Sequence, residues 1–245
     1  MEKNRFGLVG RDIAYSFSKG YFKDKFSDLQ LEGYSYENFD LQQIEDFADL
    51  IKSNTDIKGL NVTIPYKQEV LPYLDDVDAQ AREIGAVNTI KFQGSRLIGY
   101  NTDAFGFQNS IEPFLKTHHT KALILGTGGA SKAIAYVFKQ LDIAVKFVSR
   151  KPDATQIGYA DLNSSLVNDF TILVNCTPLG TYPKVDEKPD IPYGEISDKH
   201  LLFDLIYNPD KTAFLKEGDQ RGATIANGNR MLQLQADRAW EIWKQ

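Results

Sequence analysis

Cysteine is nearly missing from this 245-residue chain: Cys176 stands alone, which excludes an internal disulfide and a thiolate zinc cluster. Histidine is almost as scarce, at 118, 119 and 200 only, with no metal-ligand spacing, so no metal is expected and all three read as surface residues. Long apolar runs are absent. Stretches such as AlaLeuIleLeu at 122 to 125 fall far short of the ~18 residues that a bilayer span needs. The start MEKNRFGLVG lacks the apolar core of a signal peptide, so no membrane association and a cytoplasmic location are expected. There is no excess of positive charge either. With 28 Lys and Arg against 33 Asp and Glu, the net charge is -5, which argues against nucleic acid or an anionic membrane as partner. Any anionic ligand must be recognised by a few local residues.

What is present describes an ordinary globular protein: 42% apolar and 25% charged residues, enough for one large domain or two modest ones without staples. Strand-like runs alternate with amphipathic stretches along the whole length, the pattern of an α/β protein with largely parallel sheets. FGLV at 6 to 9 reads as a strand, and Ser18 as the cap of a helix burying Phe22, Phe26 and Leu29. Tyr34, Tyr36 and Phe39 suggest a second strand, after which Asp40 caps a helix with Leu41, Ile44, Phe47 and Ile51 on one face. GLNVTIP at 59 to 65 is a strand stopped by Pro65, and QGSR at 93 to 96 is a hairpin loop. The segment 181 to 200 reads as a surface loop, and the last helix runs roughly from Asn229 to Trp243.

From 121 to 150 the order is strand, glycine turn, helix, strand, with Ala130, Ala133, Ile134, Val137, Phe138 and Leu141 forming the helical stripe. The turn GTGGAS, from Gly126 through Thr127, Gly128, Gly129 and Ala130 to Ser131, suits a pyrophosphate. Glycines permit the tight turn and close approach, and the helix start offers amides and its positive dipole end. The third fingerprint position is Ser131 instead of Gly or Ala. An NAD site usually has a carboxylate at the end of the next strand. Here stand Ser149, Arg150 and Lys151, with no acid before Asp153, and two cations suit a 2′-phosphate. NADP is therefore the expected cofactor. A ligand-free tight turn and a solvated strand end are the bland alternatives.

For the reaction, the residue types favour a Lys and Asp pair, Lys67 just beyond a strand end and Asp103 at the seam between two regions. Taken singly, Lys67 fits a surface lysine and Asp103 a helix cap, and Ser16 and Ser18 fit a helix start. Asn61, Thr63, Asn88, Thr102 and Gln235 are uncharged polar groups suited to gripping a polyol. Cys176 has no histidine near it in sequence and reads as a small packed residue, while Trp240 and Trp243 read as core or interdomain packing.

Taken together, S16F17S18, N61VTIPYK67, G85AVNTI90, N101TDAFG106, G126TGGAS131, S149R150, N175CTPLG180, D204LIYNP209 and M231LQLQA236 resemble the shikimate dehydrogenase family over essentially the whole chain. The resemblance implies a two-domain α/β protein. A substrate-binding catalytic domain with a mainly parallel sheet would comprise 1–102 plus 227–245, and a Rossmann-like NADP-binding domain 103–226. It implies reversible NADPH-dependent reduction of 3-dehydroshikimate to shikimate, on the route to chorismate and the aromatic amino acids. Lys67 would be the catalytic acid or base and Asp103 its partner. Ser16 and Ser18 would hold the substrate carboxylate, and Thr63, Asn88, Asp103, Tyr207 and Gln235 the ring hydroxyls. Gly126 to Ser131 would cradle the pyrophosphate, Ser149 to Lys151 the adenosine phosphate, and Leu205 and Gly228 would border the nicotinamide. The implied partner is a small molecule, and the implied assembly a monomer or homodimer. The chain departs from the family pattern at Tyr15 and Lys19, where His and Pro are usual, at Ser149 and Lys151, where Asn and Thr are frequent, and at Arg230, which replaces a frequent glycine. Two other readings stay open: a dehydrogenase for quinate or a related hydroxylated cyclohexane carboxylate, and a non-catalytic NADP-binding regulatory protein.

Overall fold

A computed structural model describes residues 3–14 and 16–245; Tyr15 lies outside the described residues. The chain separates into two compact units, residues 1–102 with 236–245, and residues 103–235.

The first unit is built on strands β1 (Asn4–Gly10), β2 (Tyr34–Asp40), β3 (Ile57–Val62), β4 (Asp76–Val77), β5 (Thr89–Gln93) and β6 (Arg96–Tyr100), with helices α1 (Phe17–Asp28), α2 (Phe47–Ser53) and α3 (Ala79–Ile84). The sheet order is β2-β1-β3-β5-β6-β4. β1 lies parallel to both neighbours, whereas β5 is antiparallel to β3 and to β6. The β5–β6 hairpin turns at Gly94, whose φ of +62° suits glycine. β1 reads as a continuous apolar run because both of its faces are covered. Val9 joins a core with Phe47, Leu60, Tyr66 and Ile90. Phe6 and Leu8 point the other way, into an aromatic cluster with Phe22, Phe26, Tyr36, Trp240 and Trp243.

Two local expectations shift. The cap of α1 is Ser16, not Ser18: the Ser16 hydroxyl accepts from the Ser18 amide at 3.2 Å, and Leu29, just past the helix, is exposed. Asp40 ends β2 instead of capping a helix. Its carboxylate accepts from the Asp12 and Ile13 amides, fixing the loop that leads to Ser16, and the next helical residues begin with a tight turn at Ile44–Asp46.

The second unit comprises α4 (Asp103–Ile111), β7 (Lys121–Leu125), α5 (Gly129–Gln140), β8 (Ala144–Ser149), β9 (Ile157–Gly158), α6 (Ser164–Asp169), β10 (Ile172–Asn175), β11 (Leu201–Asp204), α7 (Ala213–Asp219), β12 (Thr224–Ala226) and the start of α8 (Asn229–Lys244). Its sheet, in the order β12-β11-β10-β7-β8-β9, is parallel throughout. The chain winds outward from β7 through β8 to β9, then returns to β10 on the other side. The carboxyl ends of β7 and β10 therefore flank the topological switch point of a Rossmann-like fold, where such sheets bind ligands.

The second seam between units falls inside α8, between Gln235 and Ala236, later than residue 227. The reason is close packing within the second unit: a Cβ on Gly106 would stand 2.6 Å from the Met231 carbonyl oxygen. His119 and His200 are not surface residues. Both are buried, with Nδ1 accepting from the Lys116 and Ser197 amides and Nε2 facing the Lys199 and Val167 carbonyls. Burial pushes the His119 pKa down, so the ring is held neutral as a loop staple. The segment 181 to 200 is loop apart from one helical turn at Tyr193–Glu195.

Candidate functional site

In the second unit the proposed cofactor residues gather at the carboxyl edge of the parallel sheet. Gly126 leaves β7 with φ +105°, and a Cβ there would crowd the Cys176 carbonyl at 3.2 Å, so the turn demands glycine. Gly128 caps α5 with extended backbone, and nothing lies within 4 Å of where its Cβ would project. That open space lies at the N-terminus of a twelve-residue helix with no acidic residue in its first turn. An oxyanion is favoured there by the free amides and the dipole. Ser131 is buried, and its hydroxyl donates to the Gly128 carbonyl at 2.7 Å. The third fingerprint position thus fastens the turn from inside.

At the end of β8 the Ser149 hydroxyl accepts from the Lys151 amide at 3.2 Å. Arg150 and Lys151 are exposed and, among the described residues, neither forms an ion pair. The first carboxylate beyond them, Asp153, is engaged with the Thr155 amide and hydroxyl and with Gln156, and the Thr155 donors hold its pKa low. It is therefore tied into its own turn and not extended toward a ribose. A glycine cradle followed by two uncommitted cations fits NADP better than NAD.

Leu205 and Gly228 meet directly. A Cβ on Gly228 would lie 2.6 Å from the Leu205 carbonyl carbon, and the Gly228 amide donates to the Ile206 carbonyl at 3.1 Å. Tyr207 follows in the same turn, half-buried. Asp103 is buried at the first position of α4, and Gln235 is half-buried on α8.

In the first unit Ser16, Thr63, Lys67 and Asn88 come from the carboxyl ends of β1 and β3 and the start of β5, which antiparallel pairing brings to one end of the sheet. Gly10 lets two of these segments close up, since its Cβ would stand 2.5 Å from Thr63 Cγ2 and 2.7 Å from Ile13 Cγ2. The Lys67 carbonyl accepts from the Val87 amide at 2.7 Å, which fixes the lysine's backbone beside Asn88, and Lys67 itself is half-buried. The Asn88 side chain is buried, donating to Thr102 Oγ1 at 3.0 Å and accepting from the Thr102 amide at 2.7 Å. Asn61 bonds Thr89 and accepts from the Tyr36 hydroxyl at 2.8 Å. Burial drives the Tyr36 phenol's pKa up, opposed by the nearby Ser18 side chain, so the phenol stays protonated and donates.

Two residues carry polar roles not assigned from sequence: Tyr36, read only as a strand residue, and Asp204, quoted only within D204LIYNP209. Asp204 is fully buried and accepts from Thr212 Oγ1 at 2.6 Å, from the Ile206 amide at 3.0 Å and from Asn175 Nδ2 at 3.0 Å. Burial pushes its pKa up to about 6 in spite of those donors. The signal available was an acid inside the apolar run LLFDL, where a carboxylate is costly. Cys176 is half-buried and burial raises its thiol pKa well above the ordinary value, which removes it as a nucleophile. No helix among the described residues is long and apolar enough to cross a membrane, and no cluster of metal-ligating side chains occurs among them.

Comparison with known proteins matches residues 8–90 to the shikimate dehydrogenase substrate binding domain. The chain is 39% identical to a shikimate dehydrogenase (NADP(+)) from Clostridium beijerinckii, over 98% of this chain and 92% of that protein. A crystal structure of shikimate 5-dehydrogenase from Thermus thermophilus in complex with NADP(H) and shikimate superposes with a TM-score of 0.86 at 30% identity, covering 98% and 92% of the two chains. The ligand-free 5-ketofructose reductase of Gluconobacter sp. strain CHM43 superposes with a TM-score of 0.80 at 29% identity, covering 98% and 92%.

Proposed function

Because the chain belongs to the shikimate dehydrogenase family, we propose that it catalyses the reversible NADPH-dependent reduction of 3-dehydroshikimate to shikimate, a CH–OH oxidoreductase step on the way to chorismate and the aromatic amino acids. The observation that carries the reading is the carboxyl edge of the second unit's sheet, where the Gly126–Gly128 cradle and the exposed cations Arg150 and Lys151 suit a dinucleotide bearing a 2′-phosphate. NADPH, when bound, supplies the hydride.

The chain's own residues supply binding and the proton. Lys67 donates a proton to the carbonyl oxygen as the ketone becomes an alcohol, and withdraws it in the reverse direction. Asp103 is its carboxylate partner. Ser16 and Ser18 take the substrate carboxylate, and Thr63, Asn88, Tyr207 and Gln235 take ring hydroxyls, so that an anionic polyol is gripped without a metal. In support, Asp40 holds the Asp12 and Ile13 amides, the Ser16 amide donates to the Ile13 carbonyl, and Val87 holds the Lys67 backbone, which favours a preorganised site. The protein acts on a small molecule, as a monomer or homodimer in the cytoplasm.

The likeness to a 5-ketofructose reductase means that the fold alone does not set the substrate. Purified protein is assayed with NADP and shikimate, then with quinate, then with NAD. Turnover with shikimate and NADP supports the reading. Turnover only with quinate or a ketofructose selects a paralogue, and tight NADPH binding without any turnover selects a non-catalytic module.

A further inference from the structure

Asp204 is a buried carboxylate at the second unit's sheet edge that the proposed reaction leaves without a task, and its surroundings show what it holds. Its two oxygens receive donors from three separate segments: Asn175 at the end of β10, the Ile206 amide in the turn after β11, and Thr212, which also caps α7 by accepting from the Leu215 amide. Asn175 is in turn committed to the next loop, accepting from the Thr177 amide and hydroxyl, while its carbonyl accepts from the Leu205 amide at 3.1 Å. The turn that Asp204 anchors is the one against which Gly228 packs, through the Leu205 carbonyl and the Ile206 carbonyl. Removing the carboxylate's charge or one donor therefore acts first on Leu205, Ile206 and Gly228, while the glycine turn at Gly126 lies one step further off, against the Cys176 carbonyl beyond Asn175.

We propose that Asp204 is a positioning residue for the nicotinamide end of the cofactor, setting the Leu205–Tyr207 turn by binding it to the end of β10 and the start of α7. The inference rests on the reading of Leu205 and Gly228 as the nicotinamide border. A fully buried carboxylate at the end of the apolar strand β11 is an expensive way to fasten a turn, which points to a demand other than stability. Cys176 and Tyr193 lie close enough to feel its charge, and burial holds both neutral.

The test compares Asp204→Asn, which keeps shape and loses charge, with the unaltered protein, using two ligands: NADPH and 2′,5′-ADP, the adenosine end alone. We expect ~10-fold or greater weakening of NADPH binding, the order expected when a hydrogen-bonded buried charge is lost, with 2′,5′-ADP affinity unchanged within about twofold. Thr212→Val, which removes one donor, should fall between, and Thr212→Ser should restore binding. Circular dichroism confirms that each variant is folded. Equal weakening of both ligands, or unchanged NADPH affinity in Asp204→Asn, overturns the positioning role. If the unaltered protein binds neither ligand, the cofactor reading itself fails and this inference falls with it, an outcome distinct from the first two.

Discussion

At the scale of single residues, the proposed function puts the proton transfer on Lys67, and Asp204 carries the cost of burial. Lys67→Ala removes a positioned acid and should lower kcat by ~10²- to 10⁴-fold, with the fold and NADPH affinity retained because the lysine's backbone bond to Val87 is untouched. Steady-state kinetics beside circular dichroism decides it, and near-normal turnover removes Lys67 from the mechanism. For Asp204 the sign is set by a pKa raised from 3.8 to about 6. A carboxylate that holds its proton more tightly folded than unfolded favours folding below pH ~4, and this contribution is lost as pH rises through about 6. Asp204→Asn should therefore be more stable than the unaltered protein at pH 8 by up to about 3 kcal/mol, with the difference gone below pH ~4. Urea titrations at the two pH values check it, and a variant less stable at pH 8 contradicts it. Asp40 and Asp204 show why such roles are hard to read from a chain: one carboxylate binds amides of residues 12 and 13, the other binds residues 175, 206 and 212. Those partners are set by folding and not by spacing. Ser16 and Ser18 show a smaller limit, because either serine could cap α1 and only backbone geometry selected Ser16.

At the scale of elements, the βαβ unit was the most legible part of the chain, since glycine turn, apolar stripe and strand ends all follow from local rules. Its turn is intolerant for a stated reason. Gly126→Ala places a Cβ on a residue at φ +105° and against the Cys176 carbonyl, costing about 1–2 kcal/mol for the left-handed conformation alone. NADPH affinity should fall, read by fluorescence titration, and unchanged affinity would show that the turn does not shape the cradle. The strand end of β8 sets the second element-level prediction. Arg150→Ala should raise KM for NADP ~10-fold or more, while KM for NAD changes little, because only NADP offers a 2′-phosphate for a charge-assisted bond. Equal effects on both cofactors remove the phosphate clamp. Of the three histidines expected at the surface, His118 is exposed, whereas His119 and His200 close loops through buried rings.

At the scale of the whole molecule, the chain's two tryptophans both sit on the last helix and both belong to the first unit's aromatic cluster. Trp243 packs against Phe6 at 4.9 Å between ring centroids and donates to the Ile90 carbonyl, and Gly59 leaves room for its indole. Residue periodicity showed only an apolar helix face; its destination came from the family resemblance, which groups 227–245 with 1–102, because the partners lie more than 150 positions away. Trp243→Ala should cost about 3–5 kcal/mol, seen as a lowered melting midpoint. The claim on which the account turns is that this molecule oxidises shikimate with NADP, and absorbance of the reduced nicotinamide measures it directly. Shikimate with NADP should give a steady rise in that absorbance, far faster than shikimate with NAD or quinate with NADP. No rise with shikimate and NADP, from folded protein that binds NADPH, contradicts it.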